Sequence, residues 1–405
     1  MRKKIYLLNK KSPIGILFFT LVVMMMGFGM VIPIMPFYIE SLGASGTTLG
    51  ALMAIFSVMQ FIFSPIWGSL SDRYGRKKML LIGTFGNGIS MLLFGLSNQV
   101  WMLFASRALA GILSSATMPT AMAYISDSSD EKNRGGKMGI IGAAMGVGMV
   151  IGPGLGGWLG GVSMSLPFFI AFGLSIASMV LIMILLPESL PVEKRTAHVT
   201  SSGPQLTSLW HALTGPLGFL MALSFLVFFA LANFEGVFGL YAQYRFDYGP
   251  TQVGTVMMVV GVVSAVMQGL ITGPATRRFG EDKIIRWSLI GSAVGFGVML
   301  LARTMGTIML TTGLFVLANS LLRPAIASKI SYKAGSQQGA VLGVSNSFMS
   351  LGRVVGPLWA GLMIDMNLIL PYLTGGIIMF LIYLASVYWL KPAATVPTIA
   401  PAASD

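Results

Sequence analysis

The chain has 405 residues, of which 55% are hydrophobic and only 10% charged, and its mean hydropathy is +0.81. A soluble chain carries roughly 25% charged residues, so a soluble globular domain is excluded and an all-α polytopic membrane protein is expected. The net charge of +13 forms no stripe on a soluble domain, which argues against a nucleic-acid partner, and the absence of cysteine removes disulfides, thiolate catalysis and Cys-ligated metals.

About 20 apolar residues cross a bilayer core as helix. Such runs predict twelve spans, at 14–37, 48–70, 79–98, 100–126, 138–160, 166–186, 216–241, 251–272, 284–302, 306–328, 340–363 and 368–390. The first begins at Pro13 and continues into VIPIMPF with no small-residue cleavage site, so it reads as a span and not a signal peptide. The 50 glycines suit close helix approach and the 30 methionines suit adaptable apolar surfaces. Between the sixth and seventh spans lies PESLPVEKRTAHVTSSGPQLTSLWHAL, polar and rich in Pro and Ser. It predicts a linker at 188–215 between an N-terminal bundle (1–187) and a C-terminal bundle (216–391), with a flexible tail at 392–405. Both histidines, His198 and His211, fall in this linker and are expected to be solvated.

The bases alternate between loops. Arg2, Lys3, Lys4, Lys10, Lys11, Arg73, Arg76, Lys77, Lys78, Lys132, Arg134, Lys137, Lys194, Arg195, Arg277, Arg278, Lys283, Arg286, Lys329, Lys333 and Lys391 fall on one side, and only Arg245 and Arg303 on the other. The bias places both termini in the cytoplasm of a cell membrane.

An internal repeat supplies the architecture. GSLSDRYGRKKML at 68 resembles GPATRRFGEDKII at 273, and PTAMAYIS at 119 resembles PAIASKIS at 324, both 205 residues on. Gly139, Gly148, Gly152 and Pro153 recur as Gly343, Gly352, Gly356 and Pro357, 204 residues on. The chain is therefore expected to form two pseudo-symmetric six-helix bundles, with a substrate site near mid-membrane between them.

These residues resemble the major facilitator superfamily and, within it, the twelve-span drug:proton antiporters. Gly68-x-Leu70-Ser71-Asp72-Arg73-x-Gly75-Arg76-Lys77 matches that family's loop signature after the second span, and Leu103-x₃-Arg107-x₂-Ala110-Gly111 matches a motif of the fourth. Gly139-x₈-Gly148-x₃-Gly152-Pro153-x₂-Gly156-Gly157 matches the antiporter motif of the fifth span, which marks exporters in the family. NFEGVFGLYAQY (233–244) and LLRPAI (321–326) look like the quinolone and multidrug pumps of Gram-positive bacteria. Those pumps carry a second acid three residues before the arginine of the tenth span; Ser320 stands there in this chain, so two-carboxylate coupling is not expected. The resemblance implies a major facilitator fold around a central cavity lined by spans one, four, seven and ten.

An ionisable group at the bilayer centre costs roughly 2.5–3.5 kcal/mol on insertion scales and is kept for a reason. Glu235 is the carboxylate expected well inside a span, with Glu40, Asp72, Asp127, Asp247 and Asp365 at helix ends or in loops. Arg107, Arg323 and Arg353 are the embedded arginines, and the first two share cavity spans with Glu235. Glu235 is therefore the expected site of the coupling proton; the competing reading is a permanent Glu235–Arg323 pair fastening two spans. Arg107 does not lose its proton, so it is expected to act as a fixed field or donor to substrate or backbone. Arg323 is divided between substrate and structure, and Arg353 is expected to pack.

Asp72 is expected to meet the N-terminus of the eleventh span, where unpaired amides attract an anion, while Arg73 and Arg76 reach Asp127. Together with Gly68 and Gly75, these residues read as a conformational latch on the side that holds the termini. The copy at 273 has Arg277 at the Asp72 position, so its latch is expected to be degenerate. The glycines and Pro153 of the fifth span are expected to allow close packing and a bend, since a phosphate cradle needs a soluble strand–turn–helix and a Lys. Candidate substrate contacts are Met26, Met30, Ile32, Pro33, Gln60, Met149, Phe238, Tyr241 and Asn319; the polar groups of Gln60, Tyr241 and Asn319 need partners.

The expected function is proton-coupled export of amphipathic drugs or other hydrophobic small molecules by alternating access. The alternative is a symporter or exchanger of an anionic metabolite, which the three embedded arginines favour and the intact GPGLGG opposes. An enzyme is not expected, since no embedded His, Cys, metal-ligand cluster or soluble domain is present, and no G-x₄-G-K-[ST] supports a primary pump. Partners are expected to be small amphipathic molecules and the bilayer, with no cofactor or metal beyond the coupling proton and with a monomeric chain.

Overall fold

A computed structural model describes residues 13–129, 131–195, 206–334 and 338–390. The basic N-terminal tail, His198 and the predicted C-terminal tail lie outside the described residues. The first half holds α1 (Pro13–Ser41), α2 (Gly46–Tyr74), α3 (Arg76–Gly95), α4 (Val100–Asp127), α5 (Glu131–Gly160) and α6 (Leu166–Leu185). The second half follows the short α7 (Leu206–Thr214). It holds α8 (Gly218–Phe246), α9 (Pro250–Phe279), α10 (Glu281–Met299), α11 (Met305–Ala334), α12 (Gln338–Met366) and α13 (Leu370–Trp389).

Eleven of these helices are long and apolar enough to cross a membrane. The twelfth, α10, opens on EDKIIR, whose four charges lower its hydropathy. It nevertheless packs on α11 and α13 as α3 packs on α4 and α6. It starts three residues earlier than the predicted span because Gly280, at φ 79°, makes the turn and Glu281 and Asp282 favour a helix N-terminus. Within the predicted linker, α7 adds a helix that its loop-like composition hid: Leu209 is buried and Trp210 and His211 are exposed.

The repeat is visible in the backbone. Gly75 (φ 97°) and Gly280 (φ 79°) make equivalent turns, in a region that L side chains rarely enter. In the first half, glycines of α5 lie on the backbone of α1: a Cβ on Gly152 would sit 2.7 Å from the Met26 carbonyl oxygen, and one on Gly156 2.6 Å from Met30 Cα. In the second half, α12 lies on α8 in the same way, a Cβ on Gly356 falling 2.7 Å from the Phe229 carbonyl oxygen. Pro153 and Pro357 sit inside α5 and α12 respectively.

The two ends of the bundle differ. At the end away from the termini, here the far end, the halves are joined. The Asp365 carboxylate of α12 accepts from the amides of Gly46 and Thr47 (both 2.7 Å) and from the Thr47 hydroxyl (2.6 Å), capping α2 from 318 residues away. A carboxylate at a helix N-terminus meets both unpaired amides and the positive end of the dipole. Gln243 of α8 donates to Glu40 of α1, and Thr251 of α9 donates to the Gly157 carbonyl (3.4 Å). A Cβ on Gly157 would meet Gly254 Cα at 2.6 Å. At the end bearing the termini and the basic loops, here the basic end, no hydrogen bond joins the halves among the described residues.

Replacing Gly156 with Val drives a branched side chain into the α1 backbone. Overpacking of this kind costs about 1–3 kcal/mol or more, so thermal unfolding in detergent is expected to shift down by several degrees. Asp365→Ala removes the cap on α2. A cysteine at the buried position Ala360, in a chain with no other cysteine, is then expected to react with maleimide at least threefold faster than in the Asp365 background.

Candidate functional site

The far-end seal reaches down to the level of Gly236, where a Cβ would lie 3.4 Å from Pro357 Cα and 3.6 Å from Met53 Sδ of the opposite half. From Gly236 to Ala242 α8 is enclosed, with Phe238, Gly239 and Tyr241 buried, and it emerges at Tyr244 and Arg245. Glu235 is half-buried between the buried Phe234 and Gly236. At 1.5 Å per residue it stands about 16 Å from the far end of α8 and about 25 Å from the basic end. Its carboxylate makes no hydrogen bond or ion pair among the described residues. The Glu235–Arg323 pair that would have fastened two spans is not formed.

Two guanidiniums share the ring of Phe228, which precedes Glu235 by seven residues and so lies on the same face of α8. Arg353 Cζ stands 4.2 Å from the ring centroid and Arg323 Cζ 5.6 Å. Arg353, read from the sequence as a packing residue, is half-buried and close enough to Glu235 for their charges to interact. Arg323 is exposed. Neither guanidinium makes a hydrogen bond or ion pair among the described residues. Arg107 is placed differently from the other two. It is 2% exposed, held over the Phe56 ring at 4.9 Å, with its Nε atom lacking an acceptor, inside the first half.

The predicted substrate contacts divide. Gln60 and Met149 are half-buried, and Met149 packs its backbone on Gly261. Met26, Met30, Ile32, Pro33, Phe238 and Tyr241 are all buried in the packing of α1 and α8. The expectation that polar groups of Tyr241 and Asn319 find partners is not met: the Tyr241 hydroxyl, against the Tyr372 ring at 4.5 Å, and the Asn319 amide nitrogen have none. In the glycine motif, Gly148, Gly152 and Gly156 face α1 and Gly157 faces α9, whereas Gly139 meets nothing within 4 Å.

At the basic end, Arg76 pairs with Asp127 (Nε to Oδ2, 2.9 Å) and with Asp72 (Nη2 to Oδ1, 2.6 Å), and donates to Ser71 Oγ (2.5 Å). Asp72 is thus held inside its own half, not on α12 as the sequence reading had it, because Arg76 one turn later supplies a nearer partner. Arg73 does not reach Asp127 and lies exposed over the Tyr74 ring at 5.2 Å. Gly68 faces Pro119, where a Cβ would lie at an ordinary 3.9 Å. Glu188, which nothing in the sequence singled out, accepts from the amides of Arg76 (2.9 Å) and Lys77 (3.2 Å) and caps α3. In the second half Arg277, at the Asp72 position, makes no ion pair among the described residues, and a pair of opposite polarity forms nearby. Asp282 at the start of α10 pairs with Lys329 near the end of α11, and Ser328 donates to Glu281 (2.9 Å).

Two copies of one six-helix bundle, joined at one end and holding a carboxylate inside a span, follow the plan of a membrane transporter and not of an enzyme. The signature of the Major Facilitator Superfamily matches residues 17–357 and 220–404, and the chain belongs to that family. It is 33% identical over 375 residues to Multidrug resistance protein 2 of Bacillus subtilis (strain 168), covering 92% of this chain and 93% of that one. It is 30% identical over 366 residues to Quinolone resistance protein NorA of Staphylococcus aureus (strain MRSA252), covering 90% and 92%. Among solved structures, a bacterial homologue of the human lysosomal transporter Spinster, inward-facing and unoccupied, superposes with a TM-score of 0.77 at 14% identity over 95% of this chain and 99% of that one.

The reversed pair sets an expectation for charge exchange. Asp282→Lys places two like charges together and is expected to cost about 1–3 kcal/mol, below the 3–5 of a fully buried pair because Asp282 is partly exposed. The double variant Asp282→Lys, Lys329→Asp is expected to recover most of that loss in a thermal unfolding series.

Proposed function

We propose that this protein exports amphipathic drugs or related hydrophobic small molecules in exchange for protons. Relatives named for multidrug and quinolone resistance cover nine-tenths of the chain, which supports the substrate class. The observation that carries the coupling is Glu235, a half-buried carboxylate midway along α8 with no hydrogen-bond or ion-pair partner among the described residues. An isolated ionised carboxylate is stable only while water reaches it. When the basic end is closed and the far end open, Glu235 takes up a proton from the far side; when the basic end opens again, the proton leaves there to water. A cationic group on a bound solute favours the ionised form, so solute and proton compete for one position.

The excess of bases on the loops at the basic end supports a cytoplasmic location for that end and both termini. The conformation described is then inward-facing, loaded from the cell interior or the inner leaflet. Arg76, Asp72 and Asp127 form the element that re-engages α12 when the halves close at that end. The proton is the coupling ion, no cofactor is needed, and a single chain holds the whole cavity.

A second reading, symport of an anionic metabolite, rests on the two guanidiniums without partners beside one acid. Inverted membrane vesicles separate the two. Interior acidification is expected to drive accumulation of a cationic dye in the vesicles, and Glu235→Gln is expected to reduce that accumulation at least tenfold. Proton-driven dye uptake that survives Glu235→Gln removes the assignment of the carrier. No uptake of any drug or dye under a proton gradient removes the export reading itself. Raising the pH inside the vesicles abolishes the gradient and is expected to slow uptake, since the site then has no proton to receive from the far side.

A further inference from the structure

We propose that the groove between α10 and α11, on the outer face of the second bundle, seats an anionic glycerophospholipid, with an acyl chain in the groove and the phosphate held by Arg278 and Lys283. The groove has a volume of about 350 Å³ and is lined by α10 from Ile284 to Val298 and by α11 from Leu314 to Leu321. Its depth comes from small residues, since a Cβ on Gly291 would lie only 2.8 Å from Ala318 Cβ. Trp287, Val294, Leu314 and Leu317 stand on either side and are exposed. Because α10 packs on α11 and α13, these apolar side chains turn outward, to lipid. From Ile284 to Val298 the helical rise is about 21 Å. One leaflet contributes about 15 Å of a 30 Å bilayer core, so a whole acyl chain fits lengthwise.

The groove alone would take any hydrocarbon, and the charge at its mouth selects the occupant. Trp287 meets the Phe279 ring edge-on at 5.2 Å, and the Arg278 guanidinium lies over Phe279 at 5.4 Å. Both rings are exposed at the basic end of their helices, where aromatic side chains settle at the bilayer interface. Lys283 precedes Trp287 by one turn on the same face of α10, just outside the groove. Arg277, Arg278 and Lys283 are exposed and form no ion pair among the described residues. The neighbouring acids are engaged: Asp282 pairs with Lys329, and Glu281 accepts from Ser328. Arg286 is engaged as well, donating to the carbonyls of Ser386 and Val387 (both 3.4 Å), so it takes no part. Uncommitted cations at headgroup level, continuous with a hydrocarbon groove, match the two ends of an anionic phospholipid.

The test adds dioleoyl phosphatidylglycerol and dioleoyl phosphatidylcholine, equal in chains and amount, to the delipidated full-length protein in detergent, and native mass spectrometry counts bound lipid. The wild type is expected to retain the anionic lipid about fivefold over the neutral one in its first binding event. Arg278→Gln with Lys283→Gln is expected to erase that preference. Leu317→Trp, which fills the groove from its exposed wall, is expected to lower occupancy by the anionic lipid about threefold. Surface substitutions of this kind leave stability nearly unchanged, so an unshifted thermal unfolding midpoint shows that the variants are folded. The position is read independently by tryptophan quenching. Phosphatidylglycerol brominated in its chains is expected to quench more than brominated phosphatidylcholine, and Trp287→Phe is expected to remove most of that excess. Glycerol 3-phosphate is expected not to displace the lipid. Equal retention of the two lipids by the wild type, or a preference that survives both glutamine substitutions, overturns the seat. So does an excess of quenching that Trp287→Phe leaves intact, which places the lipid elsewhere. Displacement by glycerol 3-phosphate at the lipid's own concentration overturns it too, since the site is then one for free phosphate.

Discussion

A carboxylate halfway along an apolar helix is the constraint on which this molecule turns. Without a partner, Glu235 is tolerable only where water reaches it, and water reaches the middle of a membrane protein only through a cavity open to one side. The rest of the architecture serves that condition. The far end is closed by direct backbone contact, and Glu235 sits beside Gly236, where α8 meets the opposite half.

The closure itself is made in two ways. Glycines on α5 and α12 let helices approach to backbone contact, first within each half and then across it where Gly157 meets Gly254. Small-residue contact of this kind gains dispersion without demanding desolvation of polar groups, which suits a seam that has to part. Carboxylates then cap foreign helices. Asp365 caps α2 across the seam and Glu188 caps α3 from the linker. A cap at a helix end near the interface is exchangeable with water at modest cost, so the first of these is suited to break when the far end opens, and the second ties the linker to the first half throughout.

The halves keep one geometry while exchanging its signs. In the first, a base opening α3 meets an acid ending α4; in the second, an acid opening α10 meets a base near the end of α11. Coulomb attraction is unchanged when both charges are reversed, so the pair survives as a fastening while the field around it does not. The first copy, with Asp72 as an extra acid, keeps an anion near the seam; the second does not.

The composition and periodic runs determined the membrane location, the helical class and the number of spans, because burial in lipid demands long apolar helices whatever their neighbours. The repeat at 205 residues determined the two-bundle plan, and the scarcity of embedded charge singled out Glu235, Arg107, Arg323 and Arg353. Which of these meet was not legible. Arg353 beside Phe228, Arg107 sealed over Phe56 and Asp365 on a helix 318 residues away depend on helix rotation and on how the halves pack, which residue type and spacing do not encode. The helix α7 and the pairing of Asp282 with Lys329 escaped for a related reason: short or charged segments give weak local signals. Hydrophobicity is a property of a residue and survives in one dimension; an ion pair, a cap or a shared ring is a property of two residues and exists only once the chain has folded.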